Sequence, residues 1–351
     1  MQDGFVRPLI AWYERERRDL PWRQNPTPYR IWISEIMLQQ TRIEAVIPYF
    51  ERFMAVLPDI PSLAKVPDDV LMKLWEGLGY YSRARNLKKA AGVIVDRFAG
   101  ELPCDYEQLL SLPGIGEYTA GAIASIAYGI PVPAVDGNVM RVMARIDNCA
   151  DDVMKPAVKK AFHARLCDLM PADTAGAFNQ ALMELGERIC LPNAAPRCDR
   201  CPVVAVCAAK AAGTENELPV RIVKKTRRIE QKTVLVVRTV RDGRPQVLLH
   251  KRPETGLLAG LWELPNLDGD YTNLPLPPAW KNAVVKAVLP RGKHIFTHIE
   301  WHLSGLLLDV PDDEPPVGCV WADTAALHQQ YALPTAFQTY ARLLPILLEG
   351  E

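Results

Sequence analysis

The sequence has no long hydrophobic run, no net charge and no repeated segment, and each absence closes off a class of protein. The one uncharged stretch of near-membrane length, Thr119–Val135, is broken by Gly129, Pro131 and Pro133 and is rich in Ala and Gly. It predicts a buried helix followed by a turn, not a membrane span. The start, Met1–Arg7, lacks the basic head and apolar run of a secretory signal, so the protein is expected to stay in the cytoplasm. Without repeats or low-complexity tracts, a solenoid or a disordered array is excluded. Lys plus Arg and Asp plus Glu both number 41, yet this zero is a cancellation. Arg221–Arg252 holds eleven basic residues against two acids, and Trp301–Glu351 holds seven acids against one Arg. A local basic segment can attract phosphates as readily as it can solvate a linker.

With 351 residues, of which 49% are hydrophobic and 23% charged, the chain is large enough for two globular domains. Residues 1–210 read as helix after helix, with apolar-periodic runs around Trp12, Trp32, Val70–Leu78, Ala84–Ile94 and Phe162–Leu169. Residues 211–228, with Gly213, Pro219 and the basic run Arg221–Arg228, read as an interdomain linker. Residues 229–351 open with strand-like Thr233–Val240 and Val247–His250 about the turn signal Asp242-Gly243. A Pro-rich stretch follows at Leu274–Pro278, and helical pattern returns at Pro334–Leu348.

Four constellations carry chemistry. In Leu112-Pro113-Gly114-Ile115-Gly116, two glycines between helical runs allow a tight hairpin. Its backbone N–H groups and the following helix start can hold a phosphate, although such corners also serve packing alone. Asp136, in Val135-Asp136-Gly137-Asn138, opens a helix: it can be a simple cap, or an ionised carboxylate able to support a cationic sugar. Glu35 lies among Ile31, Trp32, Ile33, Ile36, Met37 and Leu38, surroundings that raise a carboxyl pKa and let it donate a proton. An acid and an anion together are what hydrolysis of a glycosidic bond requires. Eight cysteines are present, and without an export signal a disulfide framework is not expected. Cys104, Cys149, Cys167 and Cys319 are scattered, whereas Cys190, Cys198, Cys201 and Cys207 cluster as metal ligands, for zinc or an iron–sulfur centre by spacing alone.

Taken together, the hairpin, Asp136-Gly137-Asn138-Val139 and the four-cysteine loop resemble the helix–hairpin–helix DNA glycosylases that hold a 4Fe–4S cluster. Leu20-Pro21-Trp22-Arg23, Ser34–Thr41 and Gly77–Arg85 are similar to the MutY branch of that family, and the likeness continues through Leu249–Pro265. The resemblance implies a mainly α-helical glycosylase domain with a cluster loop, joined to a C-terminal α+β Nudix-like domain. It implies double-stranded DNA with adenine opposite 8-oxoguanine or guanine as partner, one 4Fe–4S cluster on the four clustered cysteines, and a monomer. Glu35 would protonate the departing adenine and later help the water, and Asp136 would stabilise the sugar with help from Asn138. Arg23 and Gln180 would line the base pocket. Gln40, Thr41 and Tyr80 would meet the opened duplex, and Gly114 and Gly116 its backbone. Endonuclease III-like members have a Lys two residues after the second hairpin Gly; here it is Tyr118, which cannot form a Schiff base, so base removal without strand cleavage is implied. The paired-glutamate helix of Nudix hydrolases is missing from 229–351, which fits a domain that reads 8-oxoguanine. Phe296-Thr297-His298 stands where that domain has Phe-Ser-His, and seven residues separate the first two cysteines where six are usual. Rival readings are a glycosylase for thymine or uracil opposite guanine, a non-catalytic DNA-binding scaffold, and a Nudix-type hydrolase with a helical appendage.

Overall fold

The structure is a computed structural model that describes residues 2–192, 194–222 and 227–348. The chain forms two compact units, Met1–Val66 with Arg85–Val223, and Pro67–Ala84 with Lys224–Glu351. No helix among the described residues is long and apolar enough to cross a membrane. The helices of at least eight residues are α1 (Gln2–Glu16), α2 (Pro28–Leu38), α3 (Ile43–Val56), α4 (Asp68–Trp75), α5 (Ser82–Arg97), α6 (Glu117–Tyr128), α7 (Gly137–Ile146), α8 (Pro156–Leu169) and α9 (Ala175–Arg188).

In the first unit, local sequence sets the helix ends and packing sets their faces. Thr27 accepts from the Arg30 N–H and Pro28 begins α2, so a cap and a proline fix its start together. From Tyr29 to Met37, α2 is buried except at Arg30, which makes it a core helix and takes Glu35 inside with it. It packs on α6, which starts directly after the glycine hairpin and stops at Gly129, a left-handed residue. Phe5, Leu9 and Tyr13 lie one turn apart on α1 and join Met143 of α7 and Phe178, Leu182 and Leu185 of α9 in one apolar cluster. Asn179 is buried on α9; it accepts from the Ala134 N–H and donates to Val132 O and Ser125 Oγ, fastening the segment that leads to Asp136.

Residues 211–222 differ from the linker expected of them. The Leu218 carbonyl accepts from Arg145 Nε at 2.9 Å, the Val220 carbonyl accepts from the Val153 N–H at 3.1 Å, and Leu218 is buried. Main-chain carbonyls are what a buried guanidinium and an unpaired N–H require, so this segment belongs to the first unit. Val223–Thr226, the middle of the basic run, lie outside the described residues.

The second unit is built on seven strands: β1 (Arg228–Arg241), β2 (Arg244–Lys251), β3 (Trp262–Glu263), β4 (Asn266–Asp268), β5 (Val284–Ile295), β6 (Ile299–Asp309) and β7 (Cys319–Ala322). The sheet runs β3-β2-β1-β6-β5, with β4 on β1 and β7 on β2. β1 and β2 turn at Asp242-Gly243, both at positive φ (49° and 72°), which is the geometry that Asp-Gly favours. β1 lies parallel to β6 at the centre of the sheet. Its Val234 and Val236 enter one apolar cluster and its Leu235 and Val237 another, so a continuous apolar run covers both faces. The helical pattern over 334–348 resolves into a turn (Thr335–Phe337) and two short helices (Gln338–Ala341 and Leu344–Leu348), none with an acid. The segment Pro67–Ala84, expected within the helical domain, is part of this unit. From α4, Asp69 accepts from Trp262 Nε1 at 3.3 Å and Lys73 Nζ donates to the Leu327 carbonyl at 2.9 Å.

Candidate active site

A cleft of about 940 Å³ opens in the first unit, and it collects most of the residues expected to act. Glu35, Tyr118, Asp136, Asn138, Arg23, Gln180, Gln40 and Thr41 all line it.

Glu35 comes from α2 and is 6% exposed. Burial pushes its carboxyl up to about 7, opposed by the hydrogen bond from Tyr118 and reinforced by the charge of Asp136. That bond runs from Tyr118 Oη to Glu35 Oε2 at 2.5 Å, so the residue two beyond the hairpin glycine touches the buried acid directly. Burial and the same carboxyl hold the Tyr118 phenol well above its ordinary range, which keeps it a donor.

Asp136 is the cap of α7. Its Oδ1 accepts from the Val139 N–H at 2.8 Å and its Oδ2 from Asn138 Nδ2 at 2.9 Å. Capping alone would depress the pKa; here burial outweighs these donors and the net direction is upward. The helix start and the amide supply the donors expected for a carboxylate, and depth works against them. From Asn138 the chain of hydrogen bonds goes on: Arg141 Nη2 donates to Asn138 Oδ1 at 2.8 Å, and Arg141 Nε to the Cys190 carbonyl at 2.8 Å.

At the other side of the cleft, Gln180 Oε1 accepts from Tyr13 Oη at 2.9 Å and from Arg23 Nε at 3.2 Å. Glu184, 1% exposed, ties this wall together by binding Arg18 and Arg23 at 2.6 and 3.0 Å. Burial alone would raise its carboxyl, but the two guanidiniums overcome that and hold it below its ordinary value.

The hairpin has the form its sequence suggested. Gly114 sits at φ +77°, and a Cβ there would meet Asn86 Cβ at 2.6 Å, so only glycine fits. Gly116 is the cap of α6 and has no side chain to satisfy the first N–H groups, which leaves them available to an anion. Gln40 at φ 59° belongs to the same unit, whereas Tyr80, at φ 47° and 49% exposed, belongs to the other.

Cys190, Cys198, Cys201 and Cys207 line one cavity whose other walls include Val142, Ile146, Leu185, Ile189 and Val203. Burial pushes the Cys201 thiol up to about 12 and raises Cys198 and Cys207 too. Arg145 Nη1 lies 3.1 Å from Cys190 Sγ, placing a cation beside the sulfurs. Among the described residues, no three His, Cys, Asp or Glu side chains are grouped to hold a metal ion.

In the second unit, Phe296, Thr297 and His298 form the tip joining β5 and β6, closed by the Phe296 N–H to Ile299 carbonyl bond at 2.8 Å. Phe296 packs edge-on against His294 and Trp301 (ring centroids 4.5 and 4.9 Å away), while Thr297 and His298 are exposed.

Sequence reasoning missed Arg141, Glu184, Asn179 and Gly186. Most of their partners lie on other elements, so no local pattern marks them. Gly186 is the plainest case, since a Cβ there would stand 2.6 Å from Asn138 Cβ.

Residues 33–166 match the HhH-GPD superfamily of base excision DNA repair proteins, and residues 234–343 match the NUDIX domain. The chain is 31% identical to an adenine DNA glycosylase of Homo sapiens, covering 95% of this chain and 73% of that one. It is 32% identical to an adenine DNA glycosylase of Buchnera aphidicola, covering 87% and 88%. Among solved structures, a thermostable thymine-DNA glycosylase is 29% identical, with a TM-score of 0.55 over 60% of this chain and 97% of that one.

Replacing Gly186 by Ala should force Asn138 off its place. Overpacking of this kind costs about 1–3 kcal/mol, which denaturant unfolding would register. Unchanged stability would mean that the helix has room to move.

Proposed function

The chain belongs to the adenine DNA glycosylase family, and on that premise we propose that it hydrolyses the N-glycosidic bond of adenine paired with 8-oxoguanine or guanine, without cutting the strand. Its place is in base excision repair, with DNA as substrate. The finer reading has it act as a cytoplasmic monomer.

One observation carries the chemistry: two carboxyls face one cleft in unlike surroundings, Glu35 buried against a phenol and Asp136 fed by a helix start and an amide. Glu35, half protonated near neutrality, gives its proton to a ring nitrogen of the adenine as the C–N bond breaks and the bonding electrons leave with the base. The Asp136 carboxylate, oriented by Asn138, stabilises the oxocarbenium-like sugar. Water then adds to the sugar carbon and its proton returns to Glu35, restoring the acid. Tyr118 orients Glu35. Arg23 and Gln180 form the wall on which the flipped base rests. No lysine is among the described residues lining the cleft, which supports base removal without a Schiff base.

Gly114 and Gly116 hold a phosphate at the start of α6, Gln40 and Tyr80 fill the opened duplex, and Thr41 contacts the DNA. Thr297 and His298, with Phe296 behind them, read the 8-oxoguanine. Cys190, Cys198, Cys201 and Cys207 would hold the 4Fe–4S cluster, the apolar cavity and the Arg145 guanidinium suiting a cluster of thiolates. When bound, it supplies iron–thiolate bonds that close the 190–207 loop.

The match to a thymine-DNA glycosylase supports a second reading, removal of thymine opposite guanine. Duplexes with A opposite 8-oxoguanine, A opposite G and T opposite G, followed by alkali, separate the two. Strand breaks on the T:G duplex alone would reverse the assignment.

Because the active form of Glu35 is protonated, single-turnover excision should hold below a pH of about 7 and fall about tenfold per pH unit above it. Glu35→Gln should abolish excision; a variant that retains turnover and the same alkaline limb would exclude Glu35 as the acid.

Tyr118→Lys should gain strand cleavage that borohydride traps as a protein–DNA adduct, and the unaltered protein should give none. An adduct with the unaltered protein would identify another amine at the sugar.

Purified protein should be yellow-brown with about four irons per chain, lost when Cys198 or Cys201 is replaced by Ser. Fully active protein carrying zinc alone would overturn the cluster.

A further inference from the structure

Tyr80 rises from a loop whose supports lie in the second unit. Gly77, Gly79 and Tyr80 all have positive φ (99°, 68° and 47°), a conformation held from beneath by the α4 end and by Arg83. Trp75 Nε1 donates to the Gly79 carbonyl at 3.1 Å, and Arg83 Nη2 donates to the carbonyls of Leu78 and Gly79 at 2.9 and 3.1 Å. Arg83 also lies 5.7 Å from the Tyr80 ring centroid.

α4 is in turn clamped by residues far along the chain. Glu76 Oε1 accepts from the Leu333 N–H at 2.7 Å, while its Oε2 accepts from Lys73 Nζ at 2.6 Å. Lys73 Nζ also donates to the carbonyls of Leu327 and Tyr331, at 2.9 and 3.3 Å. Asp69 accepts from Lys251 Nζ and Trp262 Nε1 at 3.4 and 3.3 Å. Glu76 immediately precedes the strained loop, so the clamp ends where the loop begins.

We propose that Glu76, with Lys73 and Asp69, is a positioning residue through which the C-terminal part of the chain sets Tyr80, so that this part helps open the duplex as well as read the partner base. The proposal rests on the reading of Tyr80 as the residue that fills the opened duplex. An exposed side chain at positive φ holds one direction only if its backbone is over-determined, and here the constraints trace to residues 251, 262 and 327–333.

The full chain is tested on duplexes carrying 2-aminopurine beside the target adenine, whose fluorescence rises on unstacking, together with single-turnover excision. Glu76→Ala should lower the fluorescence rise and slow excision about tenfold on the 8-oxoguanine and guanine duplexes alike. Glu76→Gln, which still accepts from the Leu333 N–H, should stay within about threefold. The Glu76→Ala/Tyr80→Ala double variant should be no slower than Tyr80→Ala, within about twofold, because both act through one ring. Asp69→Ala, a milder break in the same clamp, should move both readouts the same way if Glu76→Ala fails to fold. Additive losses in the double variant, or a loss confined to the 8-oxoguanine duplex, would overturn the proposal. A full fluorescence rise in Tyr80→Ala would refute the wedge reading and the clamp's role with it. A loss in Tyr80→Ala but none in Glu76→Ala or Asp69→Ala would refute the clamp alone.

Discussion

Glu35 is drawn into the packed interior by a helix buried along nearly its whole length, and its carboxyl is met there by a phenol, with the Arg23 charge a lesser influence. Desolvation of an ionised carboxylate in such a place costs several kcal/mol, and a short hydrogen bond from Tyr118 recovers only part of it. The balance leaves the group near 7, a displacement worth roughly 3 kcal/mol relative to an ordinary carboxyl. Much of the first unit serves that balance. α6 packs on α2 and brings Tyr118 to Glu35, and Gly121 of α6 lets the Pro133 carbonyl, in the segment leading to Asp136, come to 2.4 Å of where a Cβ would stand.

Asp136 shows the same constraint with more donors set against it. It is also deep, but a backbone N–H and an amide are aimed at its two oxygens, so each oxygen has a donor. Asn138 cannot turn away, because Arg141 occupies its carbonyl oxygen and Gly186 leaves it no more than the space it needs. Arg141 reaches on to the Cys190 carbonyl, so the geometry of the anion and of the cysteine loop is shared through one planar guanidinium. The cleft therefore holds two carboxyls with different neighbours, a phenol for Glu35 and a backbone N–H with an amide for Asp136, and unlike surroundings are what let an acid and an anion work side by side.

The second unit answers a different demand. Its central strand β1 is covered on both faces, which fixes register against β6, and the β5–β6 tip can then expose Thr297 and His298 while Phe296 anchors the turn. The same unit takes in residues 67–84, so a stretch of the helical half of the sequence is held by partners more than two hundred residues away.

By itself the sequence determined what is local. The Thr27-Pro28 start, the Gly-x-Gly hairpin, the Asp136 cap, the Asp242-Gly243 turn and the clustering of four cysteines are each written within a few residues, because caps, turns and positive φ depend on immediate neighbours. The apolar flanks of Glu35 already announced its burial. Only tertiary structure decided that Tyr118 would meet Glu35, that Arg141, Glu184 and Gly186 would hold the walls, that burial would outweigh the cap at Asp136, and that 211–222 would pack where a free linker was expected. Each of these depends on the approach of elements distant in sequence. Desolvation and steric fit are set by what surrounds a group in space, which no local pattern of residues specifies.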